Sequence, residues 1–201
     1  MLLSMMAKST TKQQILDCGY PLIVSKGFSS VGLAQILQYA GVPKGSFYYY
    51  FKSKEHFGEE LLLSYFRNYQ QRLDELFDPA RGSGYQRLMG YWHRWVETQT
   101  EEGTASKCLV VKLSAEVADL SETMRLALLK GAEQIIARIA GCIEEGIDDG
   151  SISPLPAQPT AEFLYHLWLG ASLMSKLQQN GQALEQALQR TEALLGGKSL
   201  F

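Results

Sequence analysis

Gly41-Val42-Pro43-Lys44-Gly45-Ser46-Phe47-Tyr48-Tyr49-Tyr50-Phe51-Lys52-Ser53-Lys54 is the stretch whose reading decides the fold. It holds a turn, a short helix with three adjacent tyrosines, and a basic exit into a second helix. Consecutive helical residues point about 100° apart, so the three rings cannot all face inward. At least one meets solvent or a partner, and any single ring can instead be core. Phe47 and Phe51 read as core. Lys44, Lys52 and Lys54 surround the rings with no acid among them. Lysines, hydroxyls and small residues on one short helix suit a phosphate backbone and the edges of bases.

The residues upstream supply a partner helix. Leu33, Ile36 and Leu37 recur at helical spacing, and Ala40-Gly41 ends the run. Gly41 fits a tight interhelical turn that needs positive φ. Val42 can plug the corner. The pattern is a helix-turn-helix, with a supporting helix, a glycine-containing turn and a recognition helix.

The pattern extends further. A first helix ends in Lys26-Gly27-Phe28. Gln35-Ile36, Ala40-Gly41-Val42, the Lys44–Phe51 run and Ser53-Lys54-Glu55 follow in order. Residues 12–57 thereby resemble the DNA-binding head of the tetracycline-repressor (TetR) family. The resemblance implies DNA contact by Lys44, Gly45, Ser46, Tyr48, Tyr49, Tyr50 and Lys54. Gly45 would allow close approach to the groove. Lys44 and Ser46 would reach base edges or phosphates, and Tyr48 and Tyr50 phosphates. Tyr49 would pack on thymine methyls, and Lys54 would add charge and backbone N–H groups beside a phosphate. The family usually carries Ser or Thr near Gly32, so here Ser29 or Ser30 takes over that phosphate contact. Pro43 stands where the family often has Ser, which leaves open what caps the recognition helix. No arginine precedes Arg67. Base readout therefore leans on Lys44, methyl contacts and DNA shape rather than on a bidentate guanine contact.

With 201 residues, 46% hydrophobic and 20% charged, the chain can bury a full core. Its net charge of −2 announces no polyanionic partner, but the distribution does. From Lys8 to Lys54 the charges are Lys8, Lys12, Lys26, Lys44, Lys52 and Lys54 against Asp17, whereas acids gather later, as at Glu144-Glu145 and Asp148-Asp149. A basic head on an acidic body is expected of a DNA-binding head and a regulatory body. Met1–Met6 does not read as a signal peptide. No apolar run reaches the ~20 residues of a membrane helix, so a cytoplasmic protein is expected. Cys18, Cys108 and Cys142 form neither a disulfide framework nor a zinc pattern.

The expected architecture is all-α, TetR-like, with about nine helices. Residues 1–55 form the helix-turn-helix domain and 56–201 a helical regulatory and dimerisation domain. Thr10 or Thr11 caps the first helix, and Pro21 predicts a kink in it or a shorter helix. Ser53 caps a fourth helix running to about Phe77. Further helices are predicted over 85–100, 106–117, from Ser121 to Ile147, from a Thr160 cap to Gly181, and over 182–195. The helix holding Phe163, Leu167, Trp168, Leu169, Leu173 and Met174 is apolar on nearly all sides and needs cover beyond its own body. The resemblance implies that the last two helices pair with their two-fold mates. Such a dimer would place two heads on a near-palindromic double-stranded operator.

Within the body, Ser106 reads as an N-cap that puts Cys108 in a first helical turn, between Lys107 and Lys112. Free N–H groups and the helix dipole there favour thiolate. The run from Gly103 to Val117, Leu167-Trp168-Leu169-Gly170-Ala171 and Lys176 resemble the electrophile-sensing TetR-type repressors of N-ethylmaleimide reductase genes. The resemblance implies that Cys108 senses electrophiles and oxidants such as reactive chlorine. The plainer reading of Cys108 is a buried small hydrophobe. Lys176 is either a snorkelling rim residue or a partly buried amine that favours a thiolate. Cys18 and Cys142 read as structural, and His93 and His166 as packed or pocket-lining. The expected function is repression relieved at Cys108. The alternative is noncovalent induction by a small aromatic ligand among Trp92, Trp95, Tyr165, His166 and Trp168. No cofactor, metal site or enzymatic constellation is expected.

Overall fold

The computed structural model describes residues 11–100 and 108–197. Among them the chain forms nine α-helices and no strand. The first three make the head. Helix α1 (Thr11–Lys26) buries Ile15, Leu16, Ile23 and Val24 on one side and runs unbroken through Pro21. The burial of Ile23 and Val24 beyond the proline outweighs the one lost hydrogen bond. Thr10, weighed as a cap, lies outside the described residues. Helix α2 (Leu33–Ala40) starts at Gly32 with no side-chain cap. It ends at Gly41, whose φ of 64° turns the chain while its N–H and that of Val42 reach back to Gln38 and Leu37 carbonyls. Gln14 donates to the Ala40 carbonyl at 2.9 Å and seals that end. Helix α3 (Lys44–Tyr50) follows from Pro43, which occupies the cap position and brings no side-chain bond. Phe47 and Phe51, both fully buried, lock α3 onto Phe57.

Helix α4 (Lys54–Leu76) is capped by Ser53, whose Oγ accepts the His56 N–H at 3.1 Å. It leaves the head and enters the body. At its far end the buried Arg87 donates to the Phe77 carbonyl at 2.7 Å and also pairs with Glu145. A single 3-10 turn (Pro79–Arg81) leads into α5 (Gly84–Thr100). Gly84 meets the backbone of Gly146 so closely that a Cβ there would sit 2.3 Å from the Gly146 Cα. Helix α6 (Leu109–Val117) is short. Helix α7 (Glu122–Asp148), capped by Ser121, is the central strut that α4, α5, α6 and α8 pack around.

Helix α8 spans Ala157–Gln178 and α9 Gln182–Leu195. The predicted Thr160 cap is incorrect: Pro156 holds the cap position and Thr160 is buried inside the helix. Pro159 is tolerated because the first N–H groups of a helix have no partner within it. The left-handed stop is Gln179 at φ 53°, not Gly181. Trp92 and Trp168 are fully buried and stack at 4.7 Å with 7° between planes. The Trp168 Nε1 donates to Thr191 and the Trp95 Nε1 to Ser172, whereas the Trp92 Nε1 has no partner among the described residues. On α8, Phe163, Leu173, Met174 and Leu177 remain exposed. No helix among the described residues is long and apolar enough to cross a membrane.

Candidate functional site

The buried Phe47 and Phe51 fix the rotation of α3, and so fix what it shows outward. Tyr49 is 80% exposed and Tyr48 51%. Lys44 and Gly45 are exposed beside them, and Ser46 and Tyr50 are half-buried. The Lys44 ammonium lies 5.7 Å from the Tyr48 ring centroid, and Tyr49 meets Tyr50 edge-on at 4.8 Å. Six of the predicted DNA-contact residues thus share one short helix with a cationic, hydroxyl-rich outer face. Gly45 has open space at its Cβ position, which leaves room for close approach.

Lys54 and Ser29 are placed differently. The Lys54 ammonium donates to the Phe28 carbonyl at 2.7 Å and lies 4.5 Å from the Phe28 ring centroid. Burial lowers its pKa, against the pull of Glu55 and Glu116. Its charge is therefore spent on the carbonyls of the turn that follows α1. Ser29 is exposed, but its N–H is taken by Glu116 of α6.

Glu116 was not legible as functional, since one acid on one helix carries no signal. Its carboxylate accepts the Phe28 N–H at 2.9 Å and the Ser29 N–H. Burial pushes its pKa up, but the bonds from Ser29 and Phe28 and the nearby Lys54 hold it below the usual carboxylate range. Lys112, one turn earlier, reaches the Ser25 carbonyl at 3.4 Å. Helix α6 is thus fastened to the turn between α1 and α2.

The other end of α6 begins at Cys108, which is the cap residue rather than a first-turn residue. Ser106 and Lys107, invoked for the predicted cap and charge, lie outside the described residues. The thiol is buried and lines a cavity of about 120 Å³ with Tyr65, Tyr69, Tyr91, Trp95 and, from the head, Tyr20. Arg72 and Arg94 also line it. The expected drop in thiol pKa is corrected. Burial pushes it up, and the Val111 and Val110 N–H groups and the Tyr65 hydroxyl offset only part of that. Helix-terminus logic holds in kind, but desolvation is larger.

The remaining sensor residues do not assemble around this thiol. Trp95 lines the cavity, whereas Trp92 and Trp168 are core, stacked on each other. Aromatic residues at helical spacing fill a core or a pocket equally well, and only packing tells which. Tyr165 is buried against Trp95, with ring centroids 6.1 Å apart. His93 and His166 are exposed, the latter at a shallow groove with Gln186 and Arg190. Lys176 is exposed on α8, which removes the partly buried amine. Cys142 donates to the Gly84 carbonyl at 3.5 Å inside the body, and Cys18 is half-buried in α1. Among the described residues no group of three His, Cys, Asp or Glu side chains could hold a metal ion.

Comparison with known proteins agrees with this geometry. A family profile described as "Bacterial regulatory proteins, tetR family" matches residues 15–61. A second, "Tetracyclin repressor-like, C-terminal domain", matches residues 84–191. The chain is 41% identical over 187 residues to the HTH-type transcriptional repressor NemR of Escherichia coli (strain K12), covering 92% of this chain and 94% of that protein. It is 34% identical over 184 residues to the HTH-type transcriptional repressor DhaR of Mycobacterium sp. (strain GP1), covering 91% of each. The crystal structure of the reduced form of E. coli NemR superposes with a TM-score of 0.87 at 40% identity, covering 92% of this chain and 96% of that one.

Proposed function

The chain belongs to the TetR family of bacterial regulatory proteins, and from that premise we propose a homodimeric repressor that leaves its operator when an electrophile or oxidant modifies Cys108. The observation that carries this reading is the placement of the Cys108 thiol, in a cavity at one end of a short helix whose other end grips the head through Glu116. From Cys108 to Glu116 is about 12 Å along a rigid rod.

Residues 1–55 act as the DNA-binding domain and 56–201 as the regulatory and dimerisation domain. Helix α3 enters the major groove with Lys44, Tyr48 and Tyr49 outermost. The exposed Phe163, Leu173, Met174 and Leu177 on α8 are covered by the same face of a second copy, with α9 alongside. The two heads then read a near-palindromic operator. Adding a group to the Cys108 sulfur fills the cavity, and the wall must move. Tyr20, on α1, and Tyr65, on α4, belong to that wall and stack at 6.1 Å. Displacing either shifts the head, and the change acts by favouring one head spacing over another.

Cys108→Ser tests the reading. Serine is a good N-cap, so the start of α6 is kept. The variant should bind operator DNA as the parent does and stay bound after N-ethylmaleimide treatment. Release of DNA from the treated variant would refute a thiol trigger. A second reading, noncovalent induction by a small aromatic ligand, draws on the tyrosine and tryptophan rings of the same cavity. Release by an aromatic compound with no electrophilic centre would favour it.

A further inference from the structure

Tyr20, Tyr65, Tyr69 and Tyr91 line the cavity that holds Cys108, and thiol modification by itself does not require so many phenols. The Tyr65 ring lines the same cavity as Cys108, and its hydroxyl favours the thiolate. Tyr69 and Tyr91 line the same cavity and share a hydrogen bond at 2.9 Å between hydroxyls. In that pair one hydroxyl donates to the other, so one proton stays available. A further phenol, Tyr165, lies behind the cavity wall against Trp95; it is 1% exposed, and its hydroxyl has no partner among the described residues. It is close enough to Cys108 and Tyr69 for their charges to act on it. Burial holds Tyr65, Tyr69 and Tyr91 well above the usual phenol range, so each is a proton donor at neutral pH. A buried hydroxyl without an acceptor costs about 1–3 kcal/mol. Donors converging beside a nucleophile are suited to an oxygen that gains negative charge as the nucleophile attacks.

We infer that the Tyr69–Tyr91 pair, with Tyr65, forms an oxyanion-binding site for the carbonyl oxygen of a small α,β-unsaturated carbonyl compound reacting at Cys108. The inference rests on the thiol reading given above. The Cys108 sulfur, as thiolate, forms a bond to the β-carbon. The C=C π pair moves toward the carbonyl, whose oxygen becomes an enolate held by the phenols. The α-carbon then takes a proton, replacing the one the thiol gave up. The sum is addition of S–H across C=C, with no change in oxidation state overall. The sensor is thereby tuned to electrophiles that develop charge on oxygen, over alkylating agents whose charge leaves on a halide.

The test compares two reagent classes on the full-length protein, with rates read at Cys108 by peptide mass spectrometry. N-ethylmaleimide and methyl vinyl ketone develop an enolate; iodoacetamide expels iodide. In Tyr69→Phe/Tyr91→Phe, addition of both enones should slow by roughly tenfold or more, while iodoacetamide stays within about twofold of the parent. Either single variant carries the same comparison if the double variant melts early. Equal slowing of both classes, or no slowing of either, would overturn the inference and leave the phenols as packing. If neither class labels Cys108 in the parent protein, the thiol reading itself falls with it.

Discussion

Glu116→Ala removes the carboxylate that joins α6 to the head. Two N–H groups, of Phe28 and Ser29, lose a charged acceptor. Hydrogen bonds to a charged group contribute about 1.5–3 kcal/mol each, but this carboxylate is half-exposed and water refills part of the loss. We therefore expect about 2 kcal/mol, or a drop in Tm of roughly 4–8 °C for a chain of this size. The larger effect is on coupling. A rod no longer fastened at one end cannot transmit what happens at the other. Operator binding, measured by fluorescence anisotropy before and after N-ethylmaleimide, should show the loss of affinity on alkylation shrink by up to about 30-fold relative to the parent. Glu116→Gln, which keeps an acceptor oxygen without the charge, should fall between. Because the folded carboxyl is held below its usual range, its contribution is present above about pH 4.5 and fades as pH falls through the lower folded value. The stability gap between parent and Glu116→Ala should close on acidification in that window. A variant with unchanged Tm that still releases DNA as fully as the parent would refute transmission through α6.

Three further outcomes follow from the same geometry. Lys44→Ala should weaken operator binding and reduce the salt slope of log K by roughly one, with stability within about 0.5 kcal/mol; an unchanged slope means Lys44 makes no phosphate contact. Alkylation of Cys108 should climb about tenfold per pH unit from pH 7 without levelling before about pH 8.5, since burial raises the thiol pKa; a plateau below pH 8 means the thiol is activated instead. Trp168→Ala should cost about 3–5 kcal/mol, by loss of the Trp92 stack and the Thr191 bond, read as denaturant midpoint; a loss under about 1 kcal/mol would mean the ring is not core.

The head was legible because its signals are local. Ala40-Gly41 requires a left-handed turn, Ser53 caps the next helix, and two phenylalanines four apart define the inner face of α3. All three depend on neighbours within a few residues. The body was legible as helices but not as a site. Cys108 is the cap of α6 rather than the first-turn residue its surroundings predict, and its pKa follows from burial in a cavity whose tyrosines are distant in sequence. Trp92, Trp95 and Trp168 read alike, and only packing made one a wall and two a core. A cap at Thr160 starts α8 too late, because a first helical turn tolerates Pro159 without advertising it. The role of Glu116 comes from a pairing 88 residues apart, where no local pattern exists.

The clamp at the far end of α4 has a mechanical consequence. Arg87 ties the Phe77 carbonyl to Glu145, and the glycine contact between α5 and α7 leaves no slack nearby. That end serves as a fulcrum. The 23 residues of α4 make a lever of about 34 Å. A tilt of about 6° there carries its head end some 3–4 Å sideways. In a two-fold dimer the opposed tips separate by up to about 7 Å, a fifth of the ~34 Å between successive major grooves. A change too slight to disturb the core can therefore put two reading helices out of step with the duplex.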